Sequence, residues 1–125
     1  MNRTTHFAAC TSCGANWSSV EEFILDDSLI LLACQASLLS PERSVFLFAH
    51  EGKNCGATIT VHAGSLKRYA TNLDLTAPAA GGPTCNRSCF VQSDLSPCSV
   101  NCYMRWVRDL IPLLKNKSLV VRRAG

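Results

Sequence analysis

Thiol groups dominate the chemistry open to this chain. Eight of its 125 residues are cysteine, and most of them come in close pairs. Cys85-Asn-Arg-Ser-Cys89 and Cys98-Ser-Val-Asn-Cys102 put four of them into eighteen residues as two Cys-x3-Cys pairs. Upstream, Cys10-Thr-Ser-Cys13 is followed by Gly14, and Cys55 is followed by Gly56. Two thiolates two residues apart can hold one tetrahedral ion. A glycine just after the second permits the left-handed backbone that turns amides toward sulfur. Close thiol pairs in a short chain bind metal or form disulfides, and a reducing compartment favours metal.

Two ligand sets follow. The first is Cys10, Cys13, His50 and Cys55, with an imidazole in place of one thiolate around Zn²⁺. Cys34 and His6 are the alternatives to His50 for the fourth position. Cys34 lies inside the apolar run Leu29 to Cys34 without a turn glycine, which fits a small core residue. The second set is Cys85, Cys89, Cys98 and Cys102. Ser96-Pro97 resembles a helix opening, and a helix would bring Cys98 and Cys102 to one face, with Trp106 continuing it. Four converging thiolates could carry zinc or an iron–sulfur cluster, and the spacing does not choose. The competing arrangement is two disulfides, Cys85 to Cys102 and Cys89 to Cys98.

The elements that must position these residues are legible in part. Ser18 and Ser19 precede Glu21 and Glu22 in a capping-box pattern that opens a short helix through about Asp26. Leu29 to Cys34 predicts a strand, Ser40-Pro41-Glu42-Arg43 a turn, and Ser44 to Ala49 a second strand. Ala57 to Ala63 alternates, so Ala57, Ile59, Val61 and Ala63 should face the core and Thr58, Thr60 and His62 the solvent. His50 and Cys55 then flank the tip of a hairpin. Gly64 to Tyr69 predicts a helical turn capped by Ser65. The last helix should run until Pro112 kinks or ends it, with Trp106, Leu110 and Leu113 on its apolar stripe and Arg105 and Arg108 off it. The expected fold is α+β: a small antiparallel three-stranded meander with a zinc-knuckle site, plus a C-terminal cysteine-rich helical lobe. Residues 1–76 form the first region, 77–84 an Ala/Gly/Pro linker, and 85–125 the four-cysteine lobe and helix.

Cys10-x2-Cys13-Gly14, Phe23, Phe48-Ala49-His50-x4-Cys55-Gly56 and the late cysteine pairs resemble zinc-ribbon and zinc-knuckle proteins. They also resemble, more loosely, an uncharacterised small bacterial cysteine-rich family. The resemblance implies a metal-stapled fold and carries no activity. The twin Cys-x3-Cys arrangement is similar to that of the small chaperones of the mitochondrial intermembrane space, which would imply the disulfide alternative.

At 47% apolar and 17% charged residues the chain is globular, and its length suits one core. Its formal charge of +3 counts thiols as neutral. A zinc ion with three thiolates (net −1) and another with four (net −2) would bring that charge to about zero, which weakens the case for a polyanion partner. Lys115, Lys117, Arg122 and Arg123 make a basic end without interleaved aromatics, so a protein is the expected partner and nucleic acid the alternative. The first residues lack the apolar run of an export signal, and no run approaches the ~20 residues that span a bilayer, so the expected location is cytoplasmic, off the membrane. No serine nucleophile elbow, phosphate loop or paired-carboxylate motif stands out, so catalysis is not expected.

Overall fold

The computed structural model describes residues 7–52, 55–76, 82–83, 85, 87–96, 98 and 100–117. It is an α+β fold of two antiparallel sheets and a C-terminal helix. A two-stranded ribbon pairs β1 (Ala8–Ala9) with β2 (Asn16–Trp17), and the turn between them is the Cys10 to Gly14 knuckle. A three-stranded meander in the order β3-β4-β5 follows: Leu29–Gln35, Val45–His50 and Ala57–His62.

Helix α1 (Val20–Ile24) joins ribbon to meander. Ser19 is its N-cap, its Oγ accepting from the Glu22 amide at 3.2 Å, while the Glu22 carboxylate accepts from the Ser18 amide at 2.8 Å. Of the two pairings the sequence offered, this is the Ser19 one. Val20, Phe23 and Ile24 point inward. Phe23 meets Phe7, Trp17 and Phe48 edge-on at centroid distances of 5.5, 5.1 and 5.0 Å, locking ribbon, helix and meander around one aromatic knot.

The apolar run at Leu29 is a strand with one face in the core. Leu29 and Leu31 are buried, while Ile30 and Leu32 are exposed. A register shift against β4 between Leu31 and Ala33 inserts one extra residue and reverses the alternation, so Cys34 turns inward. Strand β5 follows its pattern: Ile59, Val61 and the following Ala63 are buried, Ala57 is half-buried, and Thr58, Thr60 and His62 are exposed. The turn at Pro41–Arg43 is a short 3-10 helix. Ala63–Tyr69 is a longer one whose start carries no side-chain cap, so Ser65 does not play the expected role.

Helix α2 spans Arg105–Asn116, which corrects three expectations. It begins well after Cys98, because Ser96 is used otherwise: its amide and hydroxyl both donate to the Asp94 carboxylate in a local turn. Cys98 and Cys102 are therefore not on a helical face, and Pro97 lies outside the described residues. Second, of the two outcomes expected at Pro112, the helix does not end there; the proline sits on the exposed face while Leu110, Ile111 and Leu114 around it are buried. A mid-helix proline costs roughly 3 kcal/mol, and the burial of three large aliphatic side chains offsets it. Third, Arg108 lies inside the core, together with Trp106 and Val107, and Leu113 is only half-buried.

Lys117 ends α2 in the left-handed conformation at φ 54°. Its ammonium donates to the carbonyls of Ile24 and Leu29 at 3.2 and 2.9 Å, closing the end of α1. Part of the basic C-terminal charge is thus spent inside the molecule; Arg122 and Arg123 lie outside the described residues. Met104, Trp106, Val107, Leu110, Ile111 and Leu114 join the same buried cluster as Phe46, Phe48 and Ile59 of the meander. The expected linker at 77–84 falls mostly outside the described residues. No helix among the described residues is long and apolar enough to cross a membrane.

Candidate metal centre

Three segments far apart in sequence meet at one end of the meander. The β1–β2 turn brings Cys10 and Cys13, the last residue of β4 is His50, and Cys55 precedes β5. Their four ligand atoms all lie within 4.8 Å of one another. Among the described residues this is the one group of three or more Cys, His, Asp or Glu side chains that could hold an ion.

Each cysteine turn is shaped by its own backbone. The Gly14 amide donates to the Cys10 carbonyl at 2.9 Å and the Cys10 amide to the Ala15 carbonyl at 2.7 Å, which closes the knuckle. At the hairpin tip the Cys55 amide donates to Gly52 at 2.8 Å and the Gly56 amide to His50 at 3.0 Å. Gly14 and Gly56 adopt φ +84° and +65°, where a side chain is strained, so the glycine after each cysteine is required by the turn.

The spacing of the donors suits a small tetrahedral ion. Cys10 Sγ and Cys55 Sγ are 3.5 Å apart, and Cys13 Sγ and His50 Nδ1 are 3.6 Å apart. Zinc–sulfur bonds of about 2.3 Å and zinc–nitrogen bonds of about 2.0–2.1 Å give tetrahedral edges of roughly 3.8 Å for S···S and 3.6 Å for S···N. These two contacts need only a few tenths of an ångström of adjustment, and every other pair of donors lies within 4.8 Å. Oxygen-loving ions do not suit three sulfurs and an imidazole.

Electrostatics show what the group lacks. The backbone amide of Cys13, the His50 side chain, and further bonds from Cys55 and the Ser12 amide lower the Cys10 thiol to about 6, against opposition from burial. The Ala15 amide pulls the Cys13 thiol down. Burial and the sulfurs of Cys10 and Cys55 outweigh that pull and leave Cys13 above the ordinary thiol range. The cluster thus stabilises one thiolate and resists the next, and a cation at its centre is what lets several ionise together. Around the donors, the Trp17 ring meets the His50 ring edge-on at 5.2 Å. Trp17 is in turn held by its indole N–H donating to Asp26 at 2.8 Å, and Asp26 also accepts from the amide and hydroxyl of Ser28. This chain fixes the imidazole with Nδ1 toward the sulfurs. Cys10 is buried and Cys13 exposed, and a cavity of about 540 Å³ opens beside Cys13 and His50.

The alternatives for the fourth position fare differently. His50 pairs with Leu29 across the sheet and Cys34 with Phe46, which puts Cys34 five residues along β3 from His50's partner, roughly 16 Å away at about 3.3 Å per residue. Cys34 is no ligand here. His6 lies outside the described residues. The second expected set, Cys85, Cys89, Cys98 and Cys102, does not bring its ligand atoms together as the first set does. All eight cysteines are free thiols in the structure. Sequence reasoning missed the β1–β2 ribbon and the Trp17–Asp26 support, because two-residue strands are too short to show a period.

No family model, curated protein or solved structure matches this chain.

Proposed function

We propose that this protein is a zinc-binding module whose ion is structural, held by Cys10, Cys13 and Cys55 through sulfur and by His50 through Nδ1. The observation that carries this reading is the convergence of those four donor atoms within 4.8 Å from three separate segments. Four protein donors fill a tetrahedron and leave no position for a reacting water, which favours anchoring over catalysis. The ion ties the two-stranded ribbon to the tip of the β4–β5 hairpin, joining two sheets that share no strand pairing. The module works in a thiol-preserving compartment, the cytoplasm, and acts through contact with a protein partner in an interaction or regulatory role.

Elemental analysis of the natively purified full chain tests this. Zinc at one equivalent or more, lost by one in Cys13→Ser, is the expected result. A preparation without zinc that also fails to take it up from a stoichiometric zinc buffer at neutral pH would overturn the reading.

A further inference from the structure

One edge of the meander is left open. β5 is an outer strand of the β3-β4-β5 sheet, and its six residues, Ala57–His62, pair with β4 without a bulge. The Ala63 amide donates to the Ser44 carbonyl at 2.8 Å, which continues the β4–β5 register and fixes the phase of the ladder. Ala57, Ile59 and Val61 therefore turn their amides and carbonyls toward β4, and Thr58, Thr60 and His62 turn theirs away. Among the described residues nothing hydrogen-bonds to that outward set.

The open edge runs along a slot. A cavity of about 340 Å³ is lined by all six residues of β5, by residues 7–11 of the ribbon and by Ser65. Core-facing Ile59 and Val61 and outward-facing Thr58 and Thr60 all line it, which places the cavity along the edge of the strand and not over one face. Six residues at about 3.3 Å each make a slot roughly 20 Å long. Its walls carry no Asp, Glu, Lys or Arg. Edge strands commonly deter other strands with a charge, a proline or a bulge, and β5 has none of these.

We propose that this edge binds an extended, uncharged segment of a partner protein as an added strand of the meander, its backbone pairing with Thr58, Thr60 and His62. Small or β-branched side chains suit a slot walled by Ala8, Ala9, Thr58 and Thr60, and a charged one would lose water there with no counter-charge to replace it. Because the ribbon lines the same cavity, a second copy of this chain would bring its own ribbon against this one before two β5 edges paired. A lone extended segment meets no such obstacle. The inference gives the protein partner of the proposed function a place to dock and rests on that part of the reading, not on the ion. Cys10 belongs both to the slot and to the metal centre, so zinc and peptide are measured separately.

The probe is the blocked hexapeptide acetyl-Thr-Val-Thr-Val-Thr-Val-amide, titrated into the natively purified full chain and followed by amide hydrogen exchange. In the free chain the amides of Ile59 and Val61 should be protected and those of Thr58, Thr60 and His62 open; saturating peptide should slow the open set at least tenfold. N-methylation of one alternate set of peptide amides should abolish binding and of the other set leave it, because only one side of an added strand faces β5. Thr60→Pro removes an outward amide that the ladder does not use, and should weaken the peptide at least tenfold at unchanged zinc content. Ala9→Glu, at an exposed position on the ribbon wall, should do the same and leaves the meander untouched if the proline variant fails to fold. Outward amides that are already protected in the free chain overturn the proposal. So do exchange rates that millimolar peptide leaves unchanged, or equal binding of the two N-methylated sets. A dimer of the free chain that Thr60→Pro splits also overturns it, by putting a second copy in the slot. Zinc-free protein that still binds the peptide keeps the edge and fails the metal reading; one equivalent of zinc without protection of Thr60 does the reverse.

Discussion

Cys55→Ser should separate the contribution of the ion from that of the thiol. Serine is close to isosteric with cysteine, so packing around this half-buried position just before β5 is kept while a zinc donor is lost. An ion that binds the folded chain alone stabilises it by about 2.7–4.1 kcal/mol at 100 to 1,000 times its dissociation constant. The thiol meets the Cys10 sulfur at 3.5 Å, a weak bond worth no more than about 1 kcal/mol. The variant should therefore lose about 3–4 kcal/mol when zinc is in excess and under about 1 kcal/mol when a chelator is present. With an unfolding entropy of roughly 2.1 cal/mol/K per residue over 125 residues, the loss in zinc is a drop of about 10–15 °C in Tm. Cys13 is exposed and the cavity beside it opens to solvent, so a strong chelator has a route to the ion. The assay is thermal and urea unfolding of wild type and variant, each with zinc and with chelator, under a non-metal-binding reductant. An equal penalty in both buffers would refute the reasoning, since the thiol would then matter only as a packed side chain.

Other outcomes follow from the same geometry. Gly14→Ala and Gly56→Ala place a side chain where nothing lies within 4 Å, so each should cost only the left-handed backbone penalty of about 1–2 kcal/mol, measured by urea unfolding. Phe48→Ala removes a ring 5.0 Å from Phe23 in the aromatic knot and should cost about 3–5 kcal/mol, with ribbon amides losing hydrogen-exchange protection together with the sheet. Cys34→Ser should leave zinc content unchanged while destabilising the fold by about 1–3 kcal/mol, because a hydroxyl enters an apolar site. In chelator, the unfolded chain keeps the Cys10 proton up to its ordinary value of 9.0, whereas the folded chain releases it near 6. Stability should thus rise with pH between 6 and 9, and the Cys10 share should vanish as pH falls through about 6; Cys10→Ala should flatten the slope across that window.

Local chemistry determined much of this protein from the sequence alone. Glycine after cysteine in Cys13-Gly14 and Cys55-Gly56, the serine–glutamate cap at Ser19 and Glu22, and the alternation of Ala57 to Ala63 act over a few residues. Backbone sterics and pleat decide them before any long-range contact forms, and all three stand in the structure. The meander and the four donors of the first centre were legible for that reason. What only the tertiary structure decided depends on distant partners. Whether His50 or Cys34 faces Cys10 turned on register and on the bulge after Leu31, which aims Cys34 into the core at the far end of the sheet. Arg108 is inside because the loop carbonyls of Asp94 and Ser96 accept its charge there, a partnership that helical periodicity does not register. Asp94 claims Ser96 for a turn and so moves the helix start past Cys102. A short-range code sets turns and faces; which faces meet is chosen by the packing of the whole.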